Sequence, residues 1–178
     1  MSSARSSFVV IAGCAALVFA ATTCVPGSVL ARSKRAKSSP ETSVGRAAQQ
    51  IVQLTNRQRA QHGLPALRID GRCVSAITGH VTDMARSGFL SHDGSDGRGP
   101  NERYRKYAPS SRGAGENLAY NTSGTGESFM RQWMNSSDHR SNILNSRYKA
   151  MGVAVRANCS DRKETGKCTY YAGQCFSL

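Results

Sequence analysis

Acidic side chains are scarce in this chain: 11 Asp and Glu stand against 24 Lys and Arg, for a formal net charge of +13. That excess favours encounters with polyanions or anionic membranes and says nothing about fold. Long hydrophobic runs are missing. The longest, Phe8–Ala21, holds about 14 residues, and a membrane span needs about 20. No repeat of 20–50 residues is visible, which excludes solenoids and propellers. The 17 Gly and 5 Pro follow no fixed period, which excludes a collagen-like chain. No close Cys-x-x-Cys pair occurs, so the usual spacing of a structural zinc site is absent. No nucleic-acid-binding module is recognisable. What is there is 178 residues, 39% of them apolar, enough for one domain with a packed core.

The N-terminus reads as an address. Arg5 precedes the apolar run, Pro26-Gly27 breaks it, and Val29-Leu30-Ala31 supplies a cleavage site. That order predicts a secretory signal peptide over residues 1–31 and a secreted, extracellular protein. Ile11-Ala12-Gly13-Cys14 resembles a lipidation box, but the apolar run continues past Cys14, which favours the cleaved signal over a lipoprotein. Residues 32–42 (RSKRAKSSPET) are basic and Ser-rich, and predict a flexible arm. Residues 43–178 form the predicted domain.

Export sets the redox context. Cys14 and Cys24 leave with the signal, and Cys73, Cys159, Cys168 and Cys175 remain. An even count in an oxidising compartment reads as two disulfides. Four cysteines allow three connectivities. Turn formers between Cys159 and Cys168 (Ser160, Asp161, Thr165, Gly166) favour a local Cys159–Cys168 bridge, with Cys73–Cys175 as the long one.

Helical periodicity starts at Ser43, with Val44, Ala47, Ile51 and Leu54 on one face and Gly63 as a stop. Val74, Ile77, Val81 and Met84 mark a second helix ending at Gly88. A short helical piece is predicted over 101–107, a third helix over 127–134 and a fourth over 138–144. Met151–Val155 and Cys168–Phe176 then alternate as two strands. Helices first and a hairpin last predict an α+β fold, with helices packed on a small antiparallel sheet.

Chemistry has few places to reside, because there are only four histidines. His62 beside Gly63 suits a helix C-terminus. His80 lies among Ile77, Val81 and Met84 and reads as a core histidine. His92, just past a helix stop, and His139, in the first turn of a helix capped by Ser137 or Asp138, can project into a cleft. Glu116, in Gly-Glu-Asn-Leu, suits an exposed strand edge. Two imidazoles and a carboxylate are a workable first shell for Zn²⁺ or another divalent cation. The same three groups also make an acid–base set with an orienting carboxylate. Trp133 and Phe129 read as core.

Several segments occur in one order: Leu54-Thr-Asn-Arg-Gln-Arg59 with Gly63-Leu64 and Leu67; Met84-Ala85; Ser91-His92; Gly115-Glu-Asn-Leu118; Trp133 with Ser136 to Leu144; and Met151-Gly-Val153. Together they span residues 47–176 and resemble the CAP superfamily of cysteine-rich secretory, antigen 5 and pathogenesis-related proteins, in its short bacterial SCP-like branch. The resemblance implies an α-β-α sandwich. It also implies a cleft whose two histidines are His92 and His139, a pair that holds a divalent metal in some relatives, and whose first glutamate is Glu116. Many relatives carry a second cleft glutamate three residues after the tryptophan. Here that position is Ser136, and Glu127 lies on the opposite face of the same predicted helix. The expected function is therefore extracellular binding of a lipid, a cell-wall polyanion or a protein by a monomer. Two alternatives are a metal-dependent hydrolase using His92, His139 and Glu116, and a cationic antimicrobial or adhesion factor.

Overall fold

The computed structural model describes residues 40–160 and 162–178, with side chains for 43–160 and 164–178. The signal segment 1–31 and residues 32–39 of the expected arm lie outside the described residues. Helix α1 (Pro40–Gln61) begins inside that expected arm. Pro40 suits a first helical position, where its fixed φ fits and no amide proton is needed. Strand β1 (Arg68–Ile69) and helix α2 (Gly71–Ser87) follow. Asp70 caps α2 by accepting the Arg72 amide, and Gly88 ends it in the left-handed region at φ 71°. Next come α3 (Pro100–Arg105), β2 (Ala114–Asn121), α4 (Gly126–Asn135) and α5 (Ser137–Ile143). The chain closes with β3 (Ala150–Asn158), the single turn α6 (Arg162–Thr165) and β4 (Thr169–Ser177).

The strands form one sheet in the order β1-β3-β4-β2. The predicted hairpin is its centre, with β3 and β4 antiparallel from Ala150↔Ser177 to Asn158↔Thr169. The sheet is mixed rather than purely antiparallel, because β1 pairs with β3 in parallel. Strand β2 pairs antiparallel with β4 along the other edge.

The side-chain period of two divides the core between two faces. Ala119, Met151, Val155, Ala172 and Phe176 face one side, where α1, α4 and α5 supply Ile51, Phe129, Trp133 and Ile143. Leu118, Ala154, Tyr171 and Cys175 face the other side, against Cys73, Ile77, Val81 and Met84 of α2 and Tyr104 of α3. The result is the expected α-β-α sandwich. Trp133 and Phe129 are fully buried, as expected for core, and stack with centroids 6.0 Å apart. Helix α2 approaches the sheet very closely: a Cβ on Gly152 would collide with the backbone at Cys73 and Val74, and one on Gly173 with Ile77 and Val81.

Both disulfides join the expected cysteines. Cys73–Cys175 ties α2 to β4 across 102 residues, and Cys159–Cys168 closes the β3–β4 connection. In the chain-entropy account a loop of ~100 residues is worth about 4–5 kcal/mol.

Asp70 is a second tie on the same side. Its carboxylate accepts from the Arg72 amide and guanidinium, from Tyr104 Oη at 3.0 Å and from Ser177 Oγ at 3.2 Å. It thereby links α2, α3 and the end of β4. Burial alone would raise its pKa, but the bonds from Arg72 and Tyr104 outweigh it and hold the carboxyl at about 2. A depressed carboxylate contributes stability above its unfolded pKa and loses it as the pH falls through the folded value. The contribution, about 2 kcal/mol, should therefore be present at pH 7 and disappear between about pH 4 and pH 2. Asp70→Asn should lower the neutral-pH melting temperature and flatten that part of the acid limb in thermal unfolding monitored by circular dichroism. An unchanged acid limb would contradict this assignment.

Candidate functional site

The site lies at the open edge of the sheet, where β2 meets elements from both helical layers. His92 comes from the loop after α2, and its side chain is 57% exposed. His139 comes from the first turn of α5. Its N-cap is Ser136, not Ser137 or Asp138, and the Ser136 side chain makes no capping bond. Ser136 instead adopts extended backbone, φ −96° and ψ 127°, and forms the bend between α4 and α5. Its amide donates to Trp133 O, and its carbonyl accepts from Arg140.

Glu116 lies on the edge strand as expected, but it is buried, with 8% of its surface exposed. Both of its oxygens are engaged. Oε1 accepts from His92 Nδ1 at 2.8 Å, and Oε2 accepts from Arg103 Nη2 at 2.8 Å. Arg103 is nearly buried and also donates through Nη1 to the Arg98 carbonyl. Glu116 therefore stands behind His92 and orients it. With Nδ1 donating to the carboxylate, the neutral ring presents Nε2 as a lone pair.

The two histidines titrate in opposite directions. The Glu116 hydrogen bond raises the pKa of His92 against the opposing effect of burial. Burial lowers that of His139, and the charge on His92 lowers it further. The pair thus shares one electrostatic environment. His139 is also held by its backbone: Asn117 Nδ2 donates to its carbonyl at 3.0 Å.

Asn117 belongs to a buried polar chain that crosses the core. Its Nδ2 also reaches Gln174 Oε1 at 3.1 Å, and its Oδ1 accepts from Asn142 Nδ2 at 2.9 Å. Gln174 Nε2 in turn donates to Thr55 Oγ1 at 2.7 Å. This chain joins α1, β4, β2 and α5, and fixes the helix that carries His139.

A divalent cation is the group that the resemblance implies, and the donors suit it in part. His92 has the free Nε2 and the carboxylate partner that metal-binding imidazoles use. Yet no cluster of three or more His, Cys, Asp or Glu side chains suited to a metal is present among the described residues. His92 and His139 are the residues that could hold such a cation, with Glu116 behind His92. Glu127 is exposed and accepts from Gln50 at 3.1 Å. His62, exposed, bonds the Gln58 carbonyl, and His80 is buried on α2.

Arg103 is the site residue that the sequence did not reveal, since no spacing connects it with Glu116. Replacing the orienting carboxylate tests this geometry. Glu116→Gln should lower the pKa of His92 and leave that of His139 level or slightly higher, read from imidazole proton shifts in an NMR pH titration. An unmoved His92 would refute the coupling. Because the pKa of His92 is raised on folding, its share of stability is present at low pH and lost as the pH rises through the folded value.

The comparisons agree with this architecture. The family model for cysteine-rich secretory proteins, CAP, matches residues 52–176. The uncharacterized protein YkwD of Bacillus subtilis is 32% identical over 116 residues, covering 65% of this chain and 45% of that protein. The uncharacterized membrane protein YlbC of the same organism is 36% identical over 106 residues, covering 60% and 30%. The chain thus spans less than half the length of either relative. A crystal structure of an extracellular protein containing an SCP domain, from Bacillus anthracis, superposes with a TM-score of 0.66 at 28% identity, covering 79% of this chain and 44% of that one. With a family match over residues 52–176 and the sandwich fold in place, the chain belongs to the cysteine-rich secretory protein (CAP) family.

Proposed function

We propose that this domain acts outside the cell as a binding module, and that its ligand enters the cleft at His92 and His139. The observation that carries this reading is the double engagement of Glu116 by His92 and Arg103. A general base needs a free lone pair within reach of the proton it abstracts. The Glu116 side chain is only 4% exposed and sits behind His92 and Arg103, out of reach of a substrate proton, and Ser136 stands where many relatives carry the second carboxylate. A hydrolase that uses Glu116 on a bound water is therefore the weaker alternative.

Two disulfides support an extracellular setting. The apolar run near the N-terminus and the relative described as extracellular point the same way. No described helix is long and apolar enough to cross a membrane. The ligand classes that fit an exposed cleft on a basic domain are a lipid, a cell-wall polymer or a protein. A divalent cation such as Zn²⁺ at His92 and His139 belongs to the same proposal. When bound, it would offer a Lewis-acid contact to an oxygen of the ligand.

Calorimetric titration of Zn²⁺ into the refolded protein tests the cleft. Wild type should bind, and His92→Ala/His139→Ala should not. Glu116→Gln should bind about 10–100-fold more weakly, the usual effect of losing a carboxylate behind a metal-binding histidine. A silent wild type would remove the metal from the proposal. Turnover of an ester, amide or glycoside that Glu116→Gln abolishes would overturn the binding reading itself.

A further inference from the structure

His80 is buried on α2, 2% exposed, and the function proposed above makes no use of it. We propose that it is a positioning residue for His92, acting through the peptide unit that joins Ser91 to His92. This deepens the cleft reading and rests on His92 being a site residue.

His92 sits on a segment that packing does not fix. Residues 90–93 are all exposed. Hydrogen bonds must therefore set the course of the chain there. Ser91 Oγ accepts from the Asp93 amide at 3.0 Å, but that bond lies within the segment. Among the described residues, one bond from outside reaches the backbone of residues 90–93: His80 Nε2 donates to the Ser91 carbonyl at 2.8 Å. Just before the segment, the Phe89 ring meets His80 edge-on, with centroids 6.5 Å apart. Just after it, Asp83 accepts from the amide and the hydroxyl of Ser95, both at 2.8 Å. His80 and Asp83 are three residues apart and so share one face of α2. That face holds the loop on both sides of His92.

The ring of His92 has its own tie, the 2.8 Å bond to Glu116. The two ties do different jobs. Glu116 orients the imidazole, and it can do so only while the His92 backbone stays within reach. His80 fixes the plane of the peptide that leads into that residue. Its own chemistry argues for this role over simple core packing. A carbonyl only accepts, so Nε2 carries the proton. Nδ1 is then a lone pair, buried and without a hydrogen-bond partner. An unpaired buried acceptor is destabilising, and a leucine would fill the space without it. Packing alone therefore does not account for a histidine at this position. The bond to Ser91 does.

NMR of the metal-free, ¹⁵N-labelled protein tests this without any ligand. In wild type, His80 should be the Nε2–H tautomer, and His92 should show a Nδ1 proton protected from solvent exchange. His80→Leu should fold with a melting temperature no lower than that of wild type, because loss of the unpaired nitrogen offsets loss of the bond. It should nonetheless lose the protected His92 proton and lower the heteronuclear NOE of the Ser91, His92 and Asp93 amides. His80→Gln, whose amide can still donate to Ser91, should keep both signatures. In Zn²⁺ titrations His80→Leu should bind about 2–10-fold more weakly than wild type, the worth of one hydrogen bond, and His80→Gln should stay close to wild type. Three results would overturn the assignment: a Nδ1–H tautomer for His80 in wild type, a folded His80→Leu whose His92 proton and loop amides match wild type, or a His80→Gln that loses as much as His80→Leu. A wild type that binds no Zn²⁺ would instead count against the metal in the cleft, since the NMR signatures of His80 need no metal.

Discussion

A single buried guanidinium holds the α1, α4, α5 side of the sandwich in register. Arg59, in the last turn of α1, is 0% exposed. Its side chain donates to the carbonyls of Pro65, Ile143 and Asn145 at 2.9 Å and to that of Tyr148 at 3.5 Å. Two of these carbonyls lie at and just beyond the end of α5, where a helix leaves its last acceptors unpaired. Arg59 supplies the missing donors and ties α5 and the approach to β3 onto α1. Burial lowers its pKa, yet a guanidinium remains charged and its fork can serve several acceptors at once. A lysine has neither that spread nor that resistance to deprotonation. Because α5 carries His139, the position of that candidate site residue depends on a contact in the core 80 residues earlier in the chain.

The same economy of side-chain donors protects the edge of the sheet. Strand β2 is terminal, and an unpaired edge invites another strand. Its outward carbonyls are covered in turn: Glu116 O by Asn142, Leu118 O by the Trp133 indole, and Tyr120 O by Gln132. The outward amide of Ala114 is taken by Asn101. Helices α4 and α5 therefore close the edge with side chains instead of a fifth strand. That closure places His139 beside the strand that carries Glu116. Site and edge protection share the same residues, so Asn142 and Asn117 act on both.

What the sequence made legible follows from the strength of each local signal. Helices α1, α2 and α4 declared themselves by apolar spacing, and the β3–β4 hairpin by its change of period. Strand β2 was legible only as a strand edge at Glu116, and its extent was not, because Asn117 and Glu116 break the apolar alternation. Both are buried polar residues satisfied by partners distant in sequence, Gln174 and Arg103 among them. The two-residue β1 is set by pairing with β3, a tertiary contact with no local signature. His92, Glu116 and His139 stood out because their types are rare here and their motifs are ordered. Arg103 did not, since one arginine among many basic residues carries no mark of the carboxylate it will meet.

That arginine also decides how the candidate site differs from a catalytic pair of carboxylates. A glutamate beside a histidine can either take a proton from substrate or hold the imidazole still. Which role it fills depends on whether a substrate proton can reach it. In this chain Glu116 is buried behind His92 and Arg103, and Ser136, at the bend between α4 and α5, contributes no second carboxylate. The remaining chemistry is that of an oriented imidazole with a raised pKa and a second imidazole whose pKa is lowered in part by the first. Such a pair can share a proton, a cation or a polar ligand without breaking a bond. The scaffold holds the helix of His139 through Arg59, Asn117 and Asn142 and orients His92 through Glu116, and it is this arrangement of sealed or absent carboxylates on which the proposed recognition role rests.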